Sequence, residues 1–447
     1  MEAFNSNLST TLPADMEEAL QLICSSPGFR RSARLQRFLR HVVERGTSAP
    51  DTPLTEREIA RAVFDRRPDF DPQIDPIVRV EAGRLRLRLT EYFAGQGQHD
   101  TIIIEIGRGG YLPIFRRQRQ RGGTLDRGDA AYRLYLKGRY FWNKRTAQSI
   151  ATAADYFRQA HAVDAGCTPA IAGIADCHLV LATFEFTEPG PPIENARAAA
   201  ASALRHDAQL AEVHATLGCI QALYDHRWQD ADASFQRAME IDPGYPPAWQ
   251  WRGMCACARG RLDEGLAALH AGVERDPVSL MVNTQVACGL YMAKRYAEAD
   301  EACSLVLEMD PDFWPARYFR GLIYEQQGTF AQAVRDLQAA VDRSGGNCLP
   351  SAALAHVHTR AGGQRDARRI LRQLERAPST YASPWALAVV YAGVGDADRA
   401  LGLLEHAVGL RSLQAGMFLK TDPRLDGLRS APRFTALEDR LYADAGD

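Results

Sequence analysis

At 447 residues with 46% hydrophobic side chains, the chain has room for two or more domains with sizeable cores. Its net charge of −2 is unevenly spread: residues 20–120 hold 18 arginines, no lysine and 12 acidic residues, a balance of +6 that leaves −8 for the rest. Such a division excludes a uniformly acidic or basic protein and puts a positive head, suited to a polyanion, on a negative body. Nine cysteines, an odd number without framework spacing, argue against a paired secreted scaffold. They read as small core residues in a reducing cytosol. No signal-peptide pattern and no run of 18 apolar residues is visible, so the expected location is cytoplasmic, without a membrane helix.

Residues 1–14 are polar and expected to be disordered. Asp15 to Cys24 reads as a short helix. Ser32 caps an amphipathic helix with Leu35, Phe38, Leu39, Val42 and Val43 on one face, and Arg34 and Arg37 on its outer side. Thr55 and Glu58 form a capping box opening a helix that buries Ile59, Val63 and Phe64. Asp75 and Pro76 then start a further helix of this head, whose Val78, Ala82, Leu85, Leu89 and Tyr92 share one face. Arg79 and Arg86 are expected to project away from that face, with Arg84 and Arg88 on its flanks. Beyond Gly95 the period changes: Ile102, Ile103, Ile104 and Ile106 favour a strand, Gly107 to Gly110 a turn, and Tyr111 to Phe115 a returning strand.

The run DFDPQIDPIVRV (69–80), the pattern Val-x-Val-x-x-x-Arg-Leu-Arg-x-Arg-Leu (78–89) and Gly-x-Gly-Gly-Tyr (107–111) together resemble the OmpR/PhoB-type winged helix-turn-helix domain, over roughly residues 20–117. The resemblance implies three helices plus a β-hairpin wing, with the arginine helix in the DNA major groove and the wing on the backbone or minor groove. Duplex DNA is then the partner, with Arg79, Arg84, Arg86, Arg88, Arg108, Arg34 and Arg37 as the candidate contacts. Arginine can be bidentate to guanine or forked to phosphate, and Arg86 and Arg88 can instead pair with Glu81 or Glu91.

Residues 118–130 read as a linker: glycine, arginine and glutamine with few apolar side chains build no core. Its arginines fit either a solvated tether or a phosphate backbone. From Ala131 the chain is repetitive. Asp-Pro recurs at 242–243, 276–277 and 310–311, a period of 34, and the matching turns fall near His226, Gly260, Lys294, Gly328 and Gly362, with a copy one residue short at Gly395. This resembles the tetratricopeptide repeat family, most strongly over 210–345, and implies an all-α solenoid of about eight repeats across 131–417. Residues 418–447 would form a capping helix and tail over the last face. The fold class expected is mainly α: a winged-helix domain over 15–117 followed by a tetratricopeptide solenoid.

The resemblance also implies a groove that takes a protein or peptide, with Tyr224, Trp249, Tyr291, Tyr318 and Tyr324 as candidate lining residues that equally suit core packing. The chain lacks a P-loop, a His-Glu-x-x-His, a Gly-x-Ser-x-Gly and a dinucleotide fingerprint. No enzyme, cofactor or metal site is therefore expected. The combination resembles bacterial winged-helix regulators with tetratricopeptide repeats, which implies transcriptional regulation. The alternative is a repeat scaffold whose head binds protein rather than DNA. Such a head would carry apolar residues on the outer face of the arginine helix. The oligomeric state stays open between a monomer and a homodimer.

Overall fold

The structure is a computed structural model that describes residues 12–442 apart from 51, 73–74, 107–109, 118–119, 122–123, 126 and 377–380. The head begins with α1 (Ala14–Ser25), α2 (Ala33–Ser48), α3 (Glu56–Phe64) and α4 (Ile77–Ala94). Ser32 caps α2 by accepting from the Leu35 N–H, and Thr55 and Glu58 close the expected capping box on α3. Asp75 acts one step earlier than a first-turn proline requires. Pro76 occupies the cap position itself, and the Asp75 carboxylate accepts from the Ile77 N–H at 3.1 Å.

Strands β1 (Ile102–Ile106) and β2 (Pro113–Arg117) pair antiparallel, from Ile102 opposite Arg117 to Ile106 opposite Pro113. The returning strand thus starts two residues later than the β-propensity suggests. Tyr111 is buried instead, and its hydroxyl donates to Glu56 at 2.8 Å, tying the hairpin to α3. Gly107, Arg108 and Gly109 lie outside the described residues. A second small pair, β3 (Gln120–Arg121) with β4 (Thr124–Leu125), falls within the stretch read as a linker.

The helical array follows as eight antiparallel pairs. They are α5 (Arg127–Asn143) with α6 (Ala147–Val163), α7 (Thr168–Thr183) with α8 (Gly190–His206), α9 (Ala211–Leu223) with α10 (Trp228–Ile241), and α11 (Pro246–Ala258) with α12 (Leu262–Arg275). Then come α13 (Leu280–Met292) with α14 (Tyr296–Met309), α15 (Trp314–Gln326) with α16 (Phe330–Ser344), α17 (Cys348–Arg360) with α18 (Gln364–Arg376), and α19 (Pro384–Val394) with α20 (Ala397–Gly409). His226, Gly260, Lys294, Gly328, Gly362 and Gly395 all take left-handed backbone, as turns inside a repeating unit require. Small residues let paired helices touch: a Cβ on Gly321 would lie 2.5 Å from Leu337 Cγ, and one on Gly253 2.7 Å from the Gly265 carbonyl oxygen. Asp242, Asp276 and Asp310 each close an outer helix, but the next helix is capped by Tyr245, Ser279 or Phe313. The aspartates at 242 and 310 accept from the N–H two residues on, inside the turn.

The odd-numbered helices from α7 onward form the inner layer of the superhelix. The remaining helices, α21 (Leu413–Phe418) and α22 (Pro432–Tyr442), flank a 3-10 turn at Pro423–Leu428. This segment does more than cover the last pair: α21 packs on α7, α9 and α11, and Trp228 Nε1 donates to the Leu441 carbonyl at 2.9 Å. It runs across α7, α9 and α11 and covers Tyr291, whose hydroxyl donates to Asp422.

Candidate binding surfaces

The arginine helix is built as its apolar spacing dictates. Val78, Ala82, Leu85, Leu89 and Tyr92 are all buried in the head. A second apolar set, Val80, Gly83 and Leu87, recurs at steps of three and four on the opposite side. Val80 and Gly83 are buried as well, because that side of α4 rests on α14. A Cβ on Gly83 would lie 2.6 Å from Met309 Sδ. Val278, Leu307, Met309 and Phe313 of the array belong to the same apolar cluster as the core of the head.

This placement decides where the candidate arginines point. Arg86, expected to project outward, pairs with Asp276 of the array at 2.5 Å, the two side chains 22% and 9% exposed. Arg84 stays exposed; it pairs with Glu81 at 2.8 Å and donates to the Glu308 carbonyl at 2.9 Å. Arg79 turns back into the head, 3.5 Å from the Glu56 carboxylate and donating to the Pro72 carbonyl. Burial pushes the Glu56 carboxyl up, against the lowering influence of Tyr111 and Arg79. Arg88 is exposed and pairs with Glu91 at 2.7 Å. Arg108 lies outside the described residues.

Arg34 and Arg37 remain on an open face. Together with Arg66 they line a depression of about 440 Å³ between α2, α3 and the start of α4. Arg34 lies 3.6 Å from Glu81, and Arg37 pairs with Asp65 at 2.8 Å. Helix α5 braces the other side of the head. The Tyr132 hydroxyl donates to Glu105 at 2.6 Å under the Arg116 guanidinium, and Arg133 donates to the Gly97 and Asp100 carbonyls.

The candidate groove aromatics separate into two groups. Tyr291 and Tyr318 are buried beneath the C-terminal segment, and the Tyr291 hydroxyl donates to Asp422 at 3.1 Å. Asp422 in turn forms a fully buried pair with Arg424, at 2.6 Å, which holds the Asp422 carboxyl below its ordinary value against the cost of burial. Tyr224, Trp249 and Tyr324 are half-buried; Arg411 and Arg275 stack over the first two, and the Trp249 Nε1 donates to the Pro243 carbonyl at 3.2 Å. Tyr291 and Tyr318 are thus closed off from solvent, whereas Tyr224, Trp249 and Tyr324 keep part of their surface.

One feature no motif disclosed lies where the array curls back on itself. Glu185, after α7, is 1% exposed and accepts hydroxyl hydrogen bonds from Ser383 and Ser412. Those serines also cap α19 and α21. Beside it the Asn347 amide donates to the Phe184 carbonyl at 2.7 Å, and Trp314 Nε1 donates to the Arg145 carbonyl at 3.0 Å. Seven of the nine cysteines are buried. Among the described residues no group of three or more His, Cys, Asp or Glu is placed to hold a metal, and no helix is long and apolar enough to cross a membrane.

Residues 222–283 match the tetratricopeptide repeat family. No curated protein matches the chain. Among solved structures, yeast Tom70 is 16% identical, with 94% of this chain and 88% of that one covered and a TM-score of 0.40. An IFIT1 monomeric mutant is 12% identical, with 90% and 84% covered and a TM-score of 0.47. YrrB, a tetratricopeptide protein with a peptide-binding site, is 12% identical, with 46% and 97% covered and a TM-score of 0.30. Residues 222–283 thus carry tetratricopeptide repeats, set within an all-helical solenoid of that type.

Proposed function

We propose that the chain is a protein-interaction scaffold framed by its repeat array. The observation that carries this reading is the family match at 222–283 within eight stacked helix pairs, an architecture that presents long surfaces to protein partners. The C-terminal segment covers α7, α9 and α11 of the inner layer, which favours the outer layer as the docking side. On it, α18 exposes Arg365, Arg368, Arg369, Arg372 and Arg376 along one face, fitted to an acidic partner. Affinity capture of host proteins on the full chain should retain a partner in stoichiometric amount, and Arg368→Glu with Arg372→Glu should release it. A wild-type chain that holds no stoichiometric partner would overturn the reading.

A second reading is favoured by the balance of +6 over 20–120 and by the order of α2, α3, α4 and the β1–β2 hairpin, which suits the winged-helix resemblance. In it the chain is a cytoplasmic DNA-binding transcriptional regulator. Arg34, Arg37 and Arg88 are its open contacts to duplex DNA, and Arg84 joins them once it leaves the Glu308 carbonyl. Retention of sheared host genomic DNA that weakens steeply with salt, and further with Arg34→Ala plus Arg37→Ala, is the expected result. Absence of retention even at low salt, by the wild type and by a chain whose α4 has been uncovered alike, would remove this reading.

A further inference from the structure

We infer that the contact between α4 and the α13–α14 edge of the array is a latch that withholds α4 from duplex DNA until the head is released. This rests on the second reading above, in which the basic head binds DNA. The geometry leaves no room for a duplex on this side of α4. Met309 meets the backbone at Gly83 without a gap, and Val80 on the same side is buried. A helix that enters a major groove about 12 Å wide must offer that outer side to the base edges. Duplex and array therefore compete for one surface.

The chemistry of the contact also substitutes for DNA. Asp276 presents a carboxylate to Arg86 where a phosphate would otherwise sit, and the Glu308 carbonyl accepts from Arg84 as a base-edge oxygen would. Arg79 is engaged within the head by Pro72 and Glu56. Of the four arginines on α4, only Arg88 pairs locally while leaving its side chain open to solvent without touching the array. Release has to uncover Met309, Val278 and Phe313 as well as break the ion pair. A protein partner that covers this edge is thus the kind of trigger that fits.

A disulfide across the contact tests the latch in the full chain. The Cβ built on Gly83 lies 3.2 Å from Met309 Cβ, close to the span of about 3.5–4.5 Å that a disulfide bridges, so Gly83→Cys with Met309→Cys should lock the head on oxidation. A release variant, Asp276→Ala with Met309→Ala, weakens the contact from the array side and leaves every arginine of α4 in place. Anisotropy of a fluorescent mixed-sequence DNA duplex a few helical turns long reads the affinity at low salt. The latch predicts that oxidation abolishes binding reversibly, and that the release variant binds at least about tenfold tighter than the wild type. Equal affinity of the oxidised and reduced forms overturns the latch while DNA binding stands. Absence of binding by every form, the release variant included, overturns the DNA reading and the latch with it. Should the release variant melt early, the oxidised and reduced comparison decides alone.

Discussion

Replacing Glu185 with glutamine is expected to remove a loss of stability that the wild-type chain suffers as pH rises. Glu185 is buried between the caps of α19 and α21, and burial raises its carboxyl from an ordinary 4.5 to about 7, against the opposing hydrogen bonds from Ser383 and Ser412. Between those two values the unfolded chain has released the proton that the folded protein still holds. Stability therefore falls as pH rises from about 4.5 to about 7, and levels off above. The gap corresponds to about 3 kcal/mol at its full extent. The neighbouring Cys348 thiol, pushed up to about 12 by burial, stays neutral throughout and does not blur the transition. Denaturant midpoints of the wild type and Glu185→Gln, compared at about pH 5 and about pH 8, isolate this group because other titrations cancel in the difference. The variant should gain on the wild type across that interval by up to the same amount. A difference that stays constant with pH would refute the reasoning and mean that the two hydroxyls and the two helix N-termini hold the carboxylate ionised despite its burial.

Other expectations follow from the packing. Leu85→Asp should unfold the head, because it buries an unpaired charge at a fully covered position, and loss of protection of α2–α4 against limited proteolysis would register it. Asp422→Ala should cost about 3–5 kcal/mol by leaving Arg424 buried without its partner, whereas Asp422→Leu with Arg424→Met should recover much of that loss in thermal melts. Gly321→Ala should destabilise the sixth repeat by about 1–3 kcal/mol, since its Cβ meets Leu337 at 2.5 Å, and a neutral effect would show that α15 and α16 can separate at little cost. Ser32→Ala should cost about 1 kcal/mol through the lost cap on α2, seen as a lower denaturant midpoint.

Local rules in the sequence determined much of this architecture. The 34-residue spacing placed the left-handed turns at His226, Gly260, Lys294, Gly328 and Gly362, because each unit must turn at the same point for its helices to stack. Capping residues marked α2 and α3, and apolar spacing marked the buried face of α4, because these signals act within a few residues. The other side of α4 was only half legible. Val80, Gly83 and Leu87 formed a second stripe among the arginines, but what covers it comes from residues nearly two hundred and more positions away, Asp276 and Met309.

The tertiary structure alone decided the rest. Superhelical curvature, the sum of small rotations at each repeat, brought Glu185 to Ser383 and Ser412 and laid the C-terminal segment over Tyr291 and Tyr318. No pairwise pattern encodes that sum, so what covers the inner face of a repeat is settled only when eight are stacked. The same summation set the head against α14 and turned Arg86 from solvent toward a carboxylate. Periodicity settles which residues share a face, while the path of the whole chain settles what that face meets.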